Sequence, residues 1–572
     1  MLRTRVLLSA AVAIVTFFVS AHALLQLPSI PDTDSYYHLA VARLYGERGF
    51  VDQLEWARFS VMHDGFGDKE PLFHALLIPF ASATGGRLAV AAVNAFLAGA
   101  VTFIATGAMG AWGASIAPLL FLTAPYFWSR SIRLRPEALS VTLMILVIYA
   151  AARRRPWLAG ILAMAFALTH TPWHALAGLA VLWLFLTWMR EKIWEWRTTA
   201  AILGGIVLGL LIHPHFPFNL KIWFLQNVVS IQRGAVIGMS TENVRPPIHL
   251  LLTHNAGWFL AVAAALLLVR PWREKASREA LFFAIPALVF TAMQLLWERM
   301  STYFFPIATL AIVLWCGTRL TRKGFALIAI LAIAASTPFA LRSAQRLTTQ
   351  LPPNVERDWE ELGKSIPPGA QIAATWGATD AYVFWAPQGR YLNVLDPAMM
   401  LEKNPDAYWA HRAVLEGTEP DIPLVTKTLL DSDYLAFPKW EATPLLIARV
   451  SNDPRLVRVY DGYNVLLRLQ PSDAFITDWN GYPRFLGFIN ADRIARGAPC
   501  ATFTRTLSPA RYELAPWGPT RVWLDERPIG ETRTATLAIL GRGRIIEVGT
   551  AAEVRIETCR AGGRAGFYLV RR

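Results

Sequence analysis

Two carboxylates one residue apart, Asp32 and Asp34, stand in the run Pro31-Asp32-Thr33-Asp34-Ser35-Tyr36-Tyr37-His38, just beyond the first hydrophobic segment. Charged groups at a membrane surface are costly unless they bind something or do chemistry. At this spacing both acids can ligate a hard dication, Mg2+ or Mn2+, or flank a polar substrate. The bland alternative is a helix cap, which aspartate also supplies. Adjoining Tyr37 and His38 add polar groups that a cap does not need. Further along, Asp68-Lys69-Glu70-Pro71-Leu72-Phe73-His74 sets Lys69 at the mouth of an apolar stretch. A point charge there suits an anionic lipid headgroup, and a snorkelling lysine beside a Pro-started helix is the alternative. Arg130, Arg133 and Arg135 then precede Pro136 and Glu137. Guanidinium groups bind phosphate in bidentate fashion, and Glu137 falls at the positive end of the helix that Pro136 opens. Without a ligand, an Arg133–Glu137 salt bridge would account for the same residues. Ser240-Thr241-Glu242-Asn243 lies in a long loop, 214–248, the kind of segment that serves as a lid. His170, His174, His213 and His215 fall near this face and read as hydrogen-bonding residues in preference to metal ligands.

The elements that must position these groups are membrane helices. Of 572 residues, 54% are hydrophobic and only 17% charged, too few charges for a soluble protein of this length. Apolar segments recur at 5–24, 88–108, 112–126, 138–152, 157–170, 173–189, 199–213, 249–269, 279–296, 303–317 and 323–341. Residues 71–84 are apolar but short, and are left open between a re-entrant piece and a further span. The first segment reads as a retained anchor, because no small-residue cleavage site follows it. If the segments alternate, Arg3, Arg5, 153–155, Arg190, Lys192, Arg197, Arg270, Arg273, Lys275, Arg319, Arg322 and Lys323 all fall on one side. The positive-inside rule makes that side cytoplasmic, with the amino terminus. The net charge of +14 is thus an orientation signal, and nucleic acid is not an expected partner.

The tail differs. Pro352-Pro353 and Pro367-Pro368-Gly369 punctuate it, and no apolar run in it is long enough to span. Residues 355–470 mix helical patterns with short strands such as Gln371-Ile372-Ala373-Ala374 and Asn464-Val465-Leu466-Leu467. From 471 short strands separated by Gly and Pro predict a small β-sandwich or barrel. Cys500 and Cys559 both fall there, on the exported side where a disulfide between them is permitted.

At this point the order of features resembles the catalytic subunit of oligosaccharyltransferases, within the class C (GT-C) glycosyltransferase superfamily. Asp32-Thr33-Asp34-Ser35-Tyr36-Tyr37-His38 is similar to that family's first acidic motif, and Thr241-Glu242 stands where its external loop carries a catalytic glutamate. Trp297-Glu298-Arg299-Met300 resembles its arginine-bearing segment late in the membrane domain. Trp376-Gly377-Ala378-Thr379-Asp380 stands near its Trp-Trp-Asp signature but departs from it, so recognition of an Asn-x-Ser/Thr acceptor does not carry over. The family's second acidic motif is missing too, and Arg133-Leu134-Arg135-Pro136-Glu137 occupies that region. Asp68-Lys69-Glu70-Pro71-Leu72 is closer to the Lys-Pro-Pro-Leu element of aminoarabinose and protein O-mannosyl transferases, which use monophosphate lipid donors.

The resemblance implies a polytopic α-helical membrane domain of about 11–13 spans, GT-C-like, over residues 1–343. A periplasmic mixed α/β domain over 344–470 and a β-sandwich-like domain over 471–572 would follow. It also implies a bacterial inner-membrane enzyme that moves a sugar or oligosaccharide from a polyprenyl (pyro)phosphate to a periplasmic protein, lipid or glycan acceptor. Asp32, Asp34 and Glu242 would be catalytic. Tyr37, His38, Lys69, Arg133, Arg135, Glu137, Arg299, Trp376 and Asp380 would bind substrate. Asp32 and Asp34 would hold Mg2+ or Mn2+, or the arginines would make a metal unnecessary. The alternatives are a single-sugar transferase using a polyprenyl monophosphate, or a non-enzymatic transporter of lipid-linked glycans.

Overall fold

The computed structural model describes residues 2–230, 245–270, 276–349, 351–419, 421–451, 453–470, 500–507, 510–516, 520–532, 544–548, 550, 552–559 and 567–571. Glu242 lies outside the described residues. The described chain divides into two units: one takes most of residues 1–357, the other Gln53–Gly65 and the chain from Asp358 onward.

The first unit is helical, and the apolar segments read from the sequence coincide with its helices. Among the described residues, five stretches are long and apolar enough to cross a membrane: Leu2–Leu25, Ala83–Thr123, Trp173–Glu191, Glu298–Cys316 and Arg322–Arg346. Two bent pairs bring the number to seven if each is one span: Pro125–Ser131 with Pro136–Ala152, at 114°, and Ile248–His254 with Ala256–Val269, at 74°. Pro156–Thr169 and Trp196–Leu211 are apolar but shorter. The chain is a multi-pass membrane protein.

Two local features explain the breaks. Residues 83–123 do not run as one rod, because Gly110 takes φ +63° and Gly113 folds back onto the backbone of Ala105 and Thr106, where a Cβ would come within 2.3 Å. The open case of 71–84 resolves into helix Pro71–Leu77 and a 3-10 turn Ile78–Phe80, before Ser82 caps the next helix by accepting from Gly85 N. Ten helical residues reach about 15 Å, half the hydrocarbon thickness. This piece does not cross.

The basic loops meet at one end of the helices. Arg154 pairs with Glu191, Arg278 with Glu191 at 2.8 Å and Arg153 with Glu279 at 3.1 Å. Arg5 donates to the carbonyl of Gly107 at 3.3 Å, and Arg322 stacks over Trp112. The residues with candidate chemistry meet one another instead, as set out below.

The second unit holds a five-stranded sheet in the order Arg390–Tyr391, Gln371–Ala374, Tyr434–Pro438, Asn464–Leu469, Leu456–Asp461. The first three strands are parallel and the last two form an antiparallel hairpin. Helices Pro405–Glu416 and Pro444–Ser451 bring Trp409, Val414 and Leu446 into a core with Leu435, Phe437 and Leu467. Beyond it are two antiparallel sheets of three and four strands. In the latter, Ala552–Cys559 pairs with Cys500–Leu507 in a register that sets Cys559 opposite Cys500, the backbone placement that a cross-strand disulfide requires.

His411 sits fully buried in this core, with Nε2 2.8 Å from the carbonyl of Ala374. Burial pushes its imidazole from 6.5 down to about 4. The unfolded chain therefore binds a proton that the folded chain refuses between those values, so stability falls as pH drops through this window. The loss is about 1.4 kcal/mol per pH unit, about 3 kcal/mol in all. Hydrogen exchange of Pro405–Glu416 in the full chain should accelerate from pH 7 to pH 4 beyond the intrinsic rate change. His411→Gln should flatten that dependence, and a variant that kept the native slope would rule His411 out as its source.

Candidate active site

The linker after the first helix carries Asp32, and the helix Asp34–Arg48 begins two residues later. Thr33 at its N-cap makes no side-chain capping bond, so the two acids are left to other partners. Their partner is Arg135. Its Nε donates to Asp32 Oδ2, its NH2 donates to Asp32 Oδ1 at 2.9 Å, and the same nitrogen lies 2.8 Å from Asp34 Oδ2. Arg135 is the residue before Pro136–Ala152, extended at φ −133° as a residue preceding proline prefers, and this aims it back at the acids. Leu134 N donates to Ser35 Oγ at 3.1 Å and fastens the two segments together. A guanidinium thus stands between the carboxylates read as metal ligands. Mg2+ or Mn2+ prefers about six oxygen donors and would have to displace it. The donor set as arranged does not fit a hard dication.

Glu137 begins the same helix and is buried. Arg130 and Arg299 both approach its Oε1 at 3.7 Å, and Arg130 also donates from Nε to Thr302 at 3.1 Å. The glutamate therefore pairs with Arg130 and Arg299, where the sequence had suggested Arg133. Arg299, placed here only by resemblance, joins the cluster from the 3-10 turn Glu298–Met300.

His38 lies one turn beyond Asp34, and its Nδ1 is 2.8 Å from His74 Nε2. His74 Nδ1 is 2.7 Å from Asp68 Oδ2, which also accepts from Tyr45 OH at 2.6 Å. Tyr45 OH is in turn 3.2 Å from His215 Nε2. Glu70 faces His38, His170 and Lys69 at 3.6, 3.5 and 3.9 Å. Burial drives the His38 imidazole down to about 3, so it is neutral at physiological pH. Burial, the largest single influence, raises Asp68 and Glu70, but His74, Tyr45 and the backbone N–H of Glu70 together hold Asp68 well below the usual carboxylate range. Lys69, His170 and His38 together do the same for Glu70, bringing it to about 2. Tyr37 is buried edge-on to His74, with ring centroids 6.0 Å apart, and is part of the wall.

The first unit thus brings Asp32, Asp34 and Arg135 into direct contact, with Glu137 at the start of the helix that follows Arg135, Arg299 reaching Glu137 from the 3-10 turn Glu298–Met300, His38 on the helix Asp34–Arg48, and Lys69 before the helix Pro71–Leu77. Trp376 and Asp380 belong to the second unit. Trp376 donates to the carbonyl of Leu395 and Asp380 accepts from Leu395 N at 2.9 Å, together holding Leu395 at φ +56°, a strained value for a leucine. The sequence reading centred on Lys69 passed over its flanking acids and His74. The spacing of Glu70 and His74, four residues apart beside a proline-started helix, was the signal available.

No protein-family model matches the sequence, and no curated protein matches it. Solved structures do. The fold is similar to the archaeal oligosaccharyltransferase AglB from Archaeoglobus fulgidus, in complex with an inhibitory peptide and a dolichol-phosphate. The TM-score is 0.52 at 10% identity, over 74% of this chain and 69% of that one. It is similar to ArnT from Cupriavidus metallidurans, with TM-score 0.51 and 15% identity over 81% of this chain and 97% of that one. The same ArnT is also known bound to undecaprenyl phosphate. Arabinofuranosyltransferase AftD from Mycobacteria gives a TM-score of 0.51 at 13% identity, covering 99% of this chain and 61% of that one. The chain has the fold of class C membrane glycosyltransferases.

Proposed function

We propose that the chain is a glycosyltransferase that moves a sugar or oligosaccharide from a polyprenyl (pyro)phosphate to an acceptor on the exported face of a bacterial inner membrane. The observation that carries this reading is the pair of carboxylates held by Arg135 at the end of the helices opposite the basic loops. By the positive-inside rule that end is periplasmic. Asp32 serves as general base. Each of its oxygens keeps a lone pair beyond the bond to Arg135, enough to accept the acceptor's proton as its nucleophile attacks the anomeric carbon. The bond from that carbon to the phosphate oxygen breaks, and the oxygen leaves with the electron pair. Lys69, Arg133 and Arg135 offset the charge that develops on the phosphate. Asp34 shares Arg135 with Asp32 and keeps its guanidinium in place. Charge compensation is assigned to Arg135 in preference to Mg2+ or Mn2+. Glu242 keeps the catalytic role that the resemblance gives it, although Phe218–Phe224 and Leu225–Val229 are helical where the sequence predicted one loop over 214–248; His38, Glu137 and Arg299 shape the donor end. Within the second unit the Trp376–Asp380 pair orders the turn at Leu395. The Lys69-Glu70-Pro71-Leu72 element favours a monophosphate carrying one sugar as a second form of the same reading.

The test is mass spectrometry of lipid co-purified with gently solubilised protein, native against Lys69→Ala and Arg133→Ala. A polyprenyl-phosphate sugar retained by the native chain and lost from both variants is expected. Pyrophosphate with an oligosaccharide would select the oligosaccharyltransferase-like form, and monophosphate with one sugar the single-sugar form. No such lipid, even after adding a polyprenyl-lipid extract, would sink the donor assignment.

A further inference from the structure

A second cluster beside the carboxylate–arginine site has the composition of a metal centre. His38 Nδ1, His74 Nε2 and a Glu70 carboxylate oxygen all lie within 4.8 Å of one another, on three buried side chains. The local fold explains the convergence. His74 N donates to the carbonyl of Glu70 at 3.0 Å, one helical turn, so the two side chains emerge on the same side of Pro71–Leu77. His38 approaches from the helix Asp34–Arg48.

We propose that His38, Glu70 and His74 bind one divalent transition metal of the zinc class. Three features argue for it. Two imidazole nitrogens and a carboxylate oxygen are zinc donors, whereas Mg2+ and Ca2+ take oxygen ligands. Asp68 accepts from Nδ1 of His74, which fixes the tautomer and leaves the Nε2 lone pair aimed into the cluster, the carboxylate–histidine–metal arrangement. Lastly, Glu70 Oε2 has no hydrogen-bond partner among the described residues although the residue is only 2% exposed. A buried carboxylate oxygen without a donor is expensive, and a cation at the cluster satisfies it. Together with Asp68 it makes two buried negative groups, against which Lys69 supplies one positive charge at 3.9 Å. The alternative is a plain hydrogen bond from His38 Nδ1 to His74 Nε2, which leaves Glu70 Oε2 unsatisfied. A metal here would fix the Asp68–Glu70 loop and so the position of Lys69. It is separate from Asp32 and Asp34, and its occupancy does not depend on the transfer reaction.

The full chain, purified in mild detergent without chelator, is expected to carry one zinc per chain by elemental mass spectrometry. After stripping, titration with Co2+ should give tetrahedral d–d absorption that saturates at one equivalent. His74→Gln should abolish that band, and Asp68→Asn should weaken binding about 10–100-fold. X-ray absorption of the native zinc form should show two imidazoles with oxygen, a readout that survives if a variant fails to fold. No stoichiometric metal and no Co2+ band in a monodisperse native chain would overturn the proposal. Undiminished binding in folded His74→Gln, or a zinc shell without imidazole, would do the same by assigning the metal to adventitious surface sites.

Discussion

Asp32→Asn is expected to lower sugar transfer about 10²–10⁴-fold, the usual worth of a positioned general base. Asparagine keeps the shape but loses the charge, and its amide NH2 would face the guanidinium of Arg135. Arg135 would retain Asp34, 2.8 Å from its NH2, so the arginine stays near the site. The loss should therefore appear in kcat with the donor's KM changed only a few-fold. Asp34→Asn should cost less. Its side chain is 35% exposed against 10% for Asp32, so solvent can replace more of what it contributes. The assay is transfer in native membranes with the donor that lipid mass spectrometry identifies. Asp32→Asn with a third or more of native kcat would remove it from the chemistry and leave it an anchor for Arg135. Equal losses at both positions would argue for a shared structural role.

Most of the membrane unit was readable because periodicity and charge report on one physical variable, the depth of each segment in the bilayer. The basic loops picked out by alternation do meet, through Arg154, Glu191 and Arg278. Strands 371–374 and 464–467 were readable as short apolar runs between turns, and both lie in the five-stranded sheet. Span length was less legible. Pro156–Thr169 and Trp196–Leu211 are predominantly apolar yet shorter than a full crossing, and hydropathy alone does not separate a short helix from a long one. Pairing was hidden altogether. Asp32 read as a metal ligand and Arg135 as a phosphate ligand, each sensible for its type, but they lie 103 residues apart and satisfy each other. Glu137 gave the same lesson on a smaller scale: Arg133 is the partner at helical spacing, while Arg130 and Arg299 are the partners in space. The cluster of His38, Glu70 and His74 was half visible. The turn spacing of Glu70 and His74 is in the sequence, whereas the approach of His38 is set by helix packing that no local pattern encodes.

Glu137→Ala is expected to destabilise the membrane unit by about 3 kcal/mol, the low end for breaking a buried ion pair. The reason is what remains behind. Glu137 is 7% exposed and Arg130 8%, so its removal takes a carboxylate from 3.7 Å beside a buried guanidinium, which keeps its bond to Thr302. Arg299 is 31% exposed and can turn toward water, which is why the figure is not higher. Both contacts to Oε1 are 3.7 Å, longer than a hydrogen bond, so direct attraction is modest and the penalty comes mainly from leaving the buried cations with one counter-charge fewer. That distinction is measurable. If the cost is the imbalance of buried charge, Arg130→Met with Glu137→Leu should recover most of the loss, because the two opposite charges are removed together. If the cost were attraction alone, the double variant would be no better than Glu137→Ala. Intrinsic-fluorescence melting of the detergent-solubilised chain, with both single variants to close the cycle, gives the coupling directly. A shift for Glu137→Ala within about 0.5 kcal/mol of native would mean that water reaches Arg130 and that the cluster is open to solvent. A large loss recovered by the double variant would identify Glu137 as the counter-ion that keeps Arg130 and Arg299 beside the site.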